Sequence, residues 1–351
     1  MYIDTHVHCR DEDQKSKETI LHSLKVAEKA GVDAIFDIVN SNNPILTKTR
    51  AEERIAIADS CGSRVFYGVW MGITKDSHQI KEAVDAWKYL FPRVVGIKMF
   101  AGESVGTLAI IKKKDQSFIY KNLAKNNYTG VFMVHSEKDS LMKPKLWDST
   151  NPISHCWARP PEAEVESVKD QIELAWDVEF KGKLHFAHLS VPEAVEYIYT
   201  AKRNLLSGGV SNMNLTCEST YNHLAFYDEM MNIPDGLLLK FNPPLRSRDS
   251  QKGLLKCLKE GKINCIATDH APHTRKEKMN RPYMSGIPSL HLWPRIYDFL
   301  KNHNFSEDQI SNLTFNNAVK IFGLENYIKQ TKNKGIFDNK EYSELRPQNV
   351  I

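Results

Sequence analysis

No stretch of the 351-residue chain approaches eighteen consecutive apolar residues, so no membrane-spanning helix is expected. The N-terminus has no basic region followed by an apolar run, which argues against a signal peptide. Six cysteines (Cys9, Cys61, Cys156, Cys217, Cys257, Cys265) are scattered without a Cys-x-x-Cys pair. That spacing excludes a zinc ribbon or disulfide scaffold and suits a reducing, cytoplasmic setting. Charge of one sign is also scarce. The formal net charge is +4, and Lys112-Lys113-Lys114 reads better as a solvated loop than as a nucleic-acid site. There are no repeats, low-complexity tracts or long linkers. Hydrophobic residues at 41% and charged residues at 26% describe an ordinary globular protein with one large core or two modest ones.

What is present is a regular alternation. Short β-branched runs fall over 2–8, 33–39, 64–71, 94–100, 130–135, 183–188, 208–216 and 264–269. Amphipathic segments begin near Ser16, Thr47, Ser77, Ser117, Pro161, Val191, Ser250 and Pro288, with short helices near Ser306 and Asn316. Pro161-Glu-Ala-Glu carries proline early and acids in the first turn, as helix starts do. Eight strands alternating with helices predict an α/β fold of the (β/α)8 TIM-barrel type. A doubly wound sheet would usually carry a Gly-rich nucleotide loop after its first strand, and none follows here.

A barrel places its chemistry at the C-terminal ends of its strands. The first run, Tyr2-Ile-Asp-Thr-His-Val-His-Cys-Arg10, alternates faces, so Asp4, His6, His8 and Arg10 share one side and Ile3, Thr5 and Val7 the other. Alone, a His-x-His is as readily an ordinary strand. Downstream, however, Lys98, His135, His188 and Asp269 each close another predicted strand, which a chance scatter would not do. Four histidines and a carboxylate exceed what one catalytic metal needs. Lys98, on an apolar strand and facing inward with Val94 and Gly96, accounts for the surplus. A buried lysine loses its proton readily, and the neutral amine can take up carbon dioxide as a carbamate whose two oxygens bridge two metals. Its alternative is a buried lysine paired with an acid.

The expected assignment is His6, His8 and Asp269 on one ion and His135 and His188 on the other, bridged by carboxylated Lys98. Zinc, two per subunit, suits these donors, with manganese or cobalt able to substitute. Metals about 4 Å apart share a hydroxide and polarise a carbonyl, and Asp269 would serve as the catalytic proton carrier. That chemistry suits hydrolysis of an unactivated amide. Arg10, Asn40 and His273 are candidate substrate grips, because arginine matches a planar carboxylate. A surface ion-pairing residue, a turn residue and a loop histidine are the respective alternatives.

These residues resemble the dihydroorotases, cyclic amidohydrolases of the amidohydrolase superfamily, over nearly the whole chain. The resemblance rests on Ile3-Asp-Thr-His-Val-His, Gly96-Ile-Lys-Met-Phe, Val134-His-Ser-Glu, Ala187-His-Leu-Ser and Thr216-Cys-Glu-Ser-Thr-Tyr-Asn-His-Leu, and more particularly on Phe241-Asn-Pro-Pro-Leu-Arg and Ala267-Thr-Asp-His-Ala-Pro-His. It implies reversible cyclisation of N-carbamoyl-L-aspartate to L-dihydroorotate in pyrimidine synthesis. It further implies that Arg10, Asn40 and His273 bind the substrate carboxylate. Asn242 and the backbone around Gly286 would line the ring, and Ser104 would make a loop contact. Lysine at position 98 resembles the carboxylated-lysine branch of the family. A homodimer, and an association with aspartate carbamoyltransferase, are expected by the same resemblance. Family members usually add a small β-sandwich. With the first strand starting at Met1, that domain is expected to be missing or vestigial, leaving a barrel over 1–325 and a tail over 326–351 packed against it. A hydantoinase or allantoinase is the rival within the fold, and a non-catalytic partner subunit is the rival from another class.

Overall fold

The computed structural model describes residues 1–38, 40–104, 107–207 and 214–328. Eight parallel strands form one sheet in sequential order: β1 Tyr2–Val7, β2 Val32–Asp37, β3 Phe66–Gly72, β4 Val94–Phe100, β5 Val131–His135, β6 Lys183–Phe186, β7 Asn214–Thr220 and β8 Cys265–Ala267. A parallel bridge from Val7 to His270, with the amide of His8 donating to the His270 carbonyl at 2.7 Å, draws the last strand back to the first. The result is a TIM barrel. Among the described residues no second sheet is formed.

One principal helix follows each strand: α1 Ile20–Lys29, α2 Lys48–Ser60, α3 Ser77–Leu90, α4 Lys113–Lys125, α5 Pro161–Asp177, α6 Pro192–Ser207, α7 Arg248–Lys259 and α8 Trp293–Asn302. Their starts are set locally. Thr19, Thr47, Asp76 and Ser247 each accept a hydrogen bond from a first-turn amide, and Pro161 opens α5 where no amide partner is needed.

A last helix, α9 Asn317–Phe322, sends Phe322 onto the barrel axis. Its ring meets Phe36 of β2 at 4.9 Å, Trp70 of β3 at 5.5 Å and His185 of β6 at 6.0 Å between centroids. Only a side chain inside the barrel can touch strands so far apart in the ring. This plug closes the N-terminal end and leaves the C-terminal end for the site.

Two expectations need correction. The seventh strand ends four residues later than the predicted 208–216, at Thr220; positions 208–213 of that prediction lie outside the described residues. Nor does β1 alternate regularly. Its register with β2 slips between Asp4 and Val7, so Thr5 and His6 both reach Glu218, while Asp4 turns to Thr268 and to Trp293 of α8. Of the expected tail over 326–351, positions 329–351 lie outside the described residues.

Candidate metal centre and substrate pocket

The strand ends converge as the spacing predicted. All the expected site residues except Lys98 and His273 line one pocket with an empty volume of about 380 Å³. Phe100, Phe241, Ala271 and Ser285 complete its wall. Nε2 of His6 and Nε2 of His8 lie 3.4 and 3.2 Å from the same Asp269 oxygen, and these three residues form a compact metal-capable group. Facing them, Nδ1 of His135 lies 3.0 Å from Nε2 of His188. The two groups adjoin, because the His6 and His188 rings are 5.0 Å apart.

Three of the four histidines present a defined edge because the other ring nitrogen meets a polar partner, whereas Nδ1 of His188 has no hydrogen-bond partner among the described residues. Nδ1 of His6 meets Glu218 at 2.8 Å, Nδ1 of His8 meets Oδ1 of Asn40 at 2.6 Å, and Nε2 of His135 meets Glu137 at 3.1 Å. Such partners fix the tautomer and aim the remaining lone pair at a metal. Burial lowers the pKa of all four histidines, with Lys98 adding to the effect at His6 and Arg10 at His8. Neutral imidazoles are what a metal requires. Desolvation raises the Asp269 carboxyl, against the pull of His6 and Lys98.

Lys98 is buried, 5.2 Å from the Phe100 ring centroid, and among the described residues its Nζ has no hydrogen-bond partner. The acid-paired alternative therefore fails. Desolvation lowers its pKa to about 8, although Glu218 and Asp269 pull upward. An orphaned amine that gives up its proton more readily than a free lysine fits carbamate formation, and this donor set fits divalent metal.

Arg10 is buried and lacks the ion partner that a surface residue would have. Nε donates to the Pro272 carbonyl at 3.2 Å, and Nη2 lies 3.1 Å from Nε2 of His273. Among the described residues no carboxylate lies within 4.0 Å of its guanidinium. Burial lowers its pKa to about 10, still leaving it charged at neutral pH. His273 thus stands behind Arg10. Asn40 lies on the pocket wall and on His8 together. Asn242 is also on the wall, with Oδ1 3.0 Å from Nε2 of His155. Gly286 adopts φ +149°, and a Cβ there would sit 2.4 Å from the Ala271 carbonyl oxygen. Arg10, His188 and Asp269 all have positive φ, at 51°, 35° and 47°. Backbone strain in non-glycine residues gathers where function holds them.

Sequence reasoning missed Glu218. The glutamate lies in the Thr216-Cys-Glu stretch, where the sequence implies no role for it. The carboxylate receives His6 and Thr5, and lies 3.3 Å from Nε2 of His185. With the predicted strand stopping at Thr216, the sequence offers no inward face to assign to it.

No protein-family model matches the chain. Curated relatives do. The dihydroorotase of Halobacterium salinarum is 28% identical over 331 residues, covering 92% of this chain and 71% of that protein. The dihydroorotase of Staphylococcus aureus strain Mu50 is 29% identical over 344 residues, covering 92% and 73%. Over most of its length the chain is thus similar to curated dihydroorotases. Among solved structures, dihydroorotase from Saccharomyces cerevisiae, in complex with 5-fluoroorotic acid, superposes with a TM-score of 0.74 at 19% identity, covering 93% of this chain and 85% of that one. The L-hydantoinase from Arthrobacter aurescens reaches 0.78 at 20% identity, covering 93% and 71%. At those identities the structures establish the shared barrel, and the curated sequence relatives reported above are dihydroorotases.

Proposed function

We propose that the chain catalyses the reversible, metal-dependent cyclisation of N-carbamoyl-L-aspartate to L-dihydroorotate. The observation that carries this reading is Arg10, a buried cation with no acid partner among the described residues, at the pocket that holds His6, His8 and Asp269. A guanidinium so placed is complementary to a substrate carboxylate beside the scissile amide. Hydantoin offers no such group.

His6, His8 and Asp269 would hold one divalent ion and His135 and His188 a second, with carboxylated Lys98 between them. Zinc is the proposed metal, from the histidine and carboxylate donors. When bound, the pair supplies a polarised carbonyl and a nucleophile available at neutral pH. The chain's own residues do the rest. Arg10 fixes the substrate carboxylate, and His273 fixes Arg10. Asn40 locks the His8 tautomer at the pocket wall. Asn242, Ser104 and the backbone at Gly286 bound the ring. Asp269 accepts a proton at its carboxylate as the ring opens and returns it to the departing nitrogen; cyclisation reverses the transfer. The six free cysteines accord with a cytoplasmic enzyme. A homodimer and an association with aspartate carbamoyltransferase are carried by the resemblance alone, and sedimentation with and without that enzyme tests both.

The test is a pair of absorbance assays, with dihydroorotate and with hydantoin, on metal-replete protein. Turnover of dihydroorotate that drops at least 10²-fold in kcat/KM in Arg10→Met supports the reading. Turnover of hydantoin alone, insensitive to Arg10, replaces it with the hydantoinase reading.

A further inference from the structure

Arg159 does not line the substrate pocket, yet it touches two parts of the site at once. It follows the short helix Ser154–Ala158 in the long segment after β5. Nε lies 3.2 Å from both oxygens of Glu137, and Nη2 also donates to that carboxylate. Glu137 in turn meets Nε2 of His135 at 3.1 Å. The same Nη2 donates to the Glu103 carbonyl at 2.7 Å, one residue before Ser104. This stretch is also tied down on its other side, since Asp139 accepts the Glu103 amide at 2.7 Å. Gly102 packs so tightly that a Cβ would lie 1.9 Å from the Glu137 carbonyl oxygen. Arg159 is itself held, its carbonyl receiving Arg246, whose Nε donates to Ser190 at 2.9 Å.

We infer that Arg159 is a positioning residue that keeps His135, through Glu137, in register with the backbone presenting Ser104. The rigid guanidinium grips Glu137 through both Nε and Nη2 while Nη2 also holds the Glu103 carbonyl; a lysine, with one nitrogen on a flexible stem, would keep fewer of these bonds and in a less fixed geometry. Carboxylates behind metal-binding histidines orient the ring and raise its basicity, and losing them weakens metal binding about 10–100-fold. The Ser104 half of the inference rests on the proposed function, while the His135 half does not.

The experiment compares Arg159→Lys, Arg159→Met and Glu137→Gln with wild type, by chelator competition for bound zinc and by KM and kcat for dihydroorotate. Both Arg159 variants are expected to release the more weakly held zinc about tenfold more readily and to raise KM, with Arg159→Lys the milder. Glu137→Gln should match them in zinc release but raise KM less, because the bond from Arg159 to Glu103 survives. Wild-type zinc retention and KM in a folded Arg159→Lys protein would overturn the inference. So would a lowered melting temperature with both readouts unchanged, which would mark a merely structural ion pair. Failure of the wild-type protein to turn over dihydroorotate removes the functional reading instead, and zinc retention then decides the inference alone.

Discussion

Nδ1 of His6 lies 2.8 Å from a carboxylate oxygen of Glu218, across the barrel from β1 to β7. Nothing in the linear sequence couples the two residues. The contact gives His6 one tautomer, with Nε2 directed at Asp269, and Glu218 is also within 3.4 Å of the His188 amide nitrogen. One buried carboxylate therefore supports both metal-facing groups. Burial alone would raise its pKa, but His185 and His6 hold it well below the usual carboxylate range. Glu218→Gln keeps an acceptor while removing the charge, so metal affinity should fall about 10–100-fold. Chelator titration of the refolded variant checks this. Unchanged affinity would reduce Glu218 to a packing residue.

Lys98 yields the second prediction. Among the described residues its Nζ has no hydrogen-bond partner, so replacing it removes whatever the amine carries and little else of the local hydrogen bonding. Lys98→Ala should retain the fold, lose stoichiometric binding of the second metal, and lose at least about 10²-fold in kcat, on the scale of losing one electrostatic group in an active site. A small carboxylate such as propionate, diffusing into the vacated space, should restore part of both. Wild-type protein supplied with 13C-bicarbonate should show a carbamate carbon by NMR. Full activity in Lys98→Ala would exclude the bridge.

The histidines, Lys98 and Asp269 were legible because strand ends are marked by the end of an apolar run, and a barrel brings such ends together. The supporting residues were not, for two physical reasons. A seventh strand predicted to stop at Thr216 leaves Glu218 beyond the strand, with no inward face to assign. A register slip near Asp4 makes two-residue alternation point the wrong side chain inward, so Asp4 replaced Thr5 in the reading. Asn40 shows a different limit. Its place at the end of β2 was visible, but a contact to His8, 32 residues earlier, is set only by the pairing of β1 with β2. The link from Arg159 through Glu137 to His135 depends likewise on how an irregular segment folds over the barrel mouth.

Gly286 is the third test. Its backbone has φ +149°, and a Cβ would press on the Ala271 carbonyl at 2.4 Å and on Cδ2 of His273 at 2.9 Å. Both neighbours belong to the segment that supports Arg10. Gly286→Ala should therefore destabilise the fold by roughly 1–3 kcal/mol and push His273 away from Arg10. The second effect should appear as a raised KM for dihydroorotate beyond any loss of folded protein. Urea melts separate the two, and a normal KM in folded protein would show that His273 does not position Arg10.

The last prediction concerns pH. Nζ of Lys240 donates to the Tyr283 carbonyl and to Ser285 Oγ, each at 2.7 Å, bracing the strap that carries Gly286. Burial, reinforced by Arg159, lowers its pKa from 10.5 to about 7. Between those values the unfolded chain binds more protons at this position than the folded one, so stability rises with pH across the window. The contribution is complete above the unfolded pKa and is lost as pH falls through about 7. At about 1.4 kcal/mol per pKa unit, the full swing is of the order of a few kcal/mol. Lys240→Met removes this dependence. The stability of wild type minus that of Lys240→Met, from urea melts, should therefore grow from pH 7 toward pH 10. A difference that stays flat or shrinks over that range would mean that the ammonium is well solvated in the folded protein, and that the strap is held by its carbonyl and hydroxyl contacts without a desolvated charge.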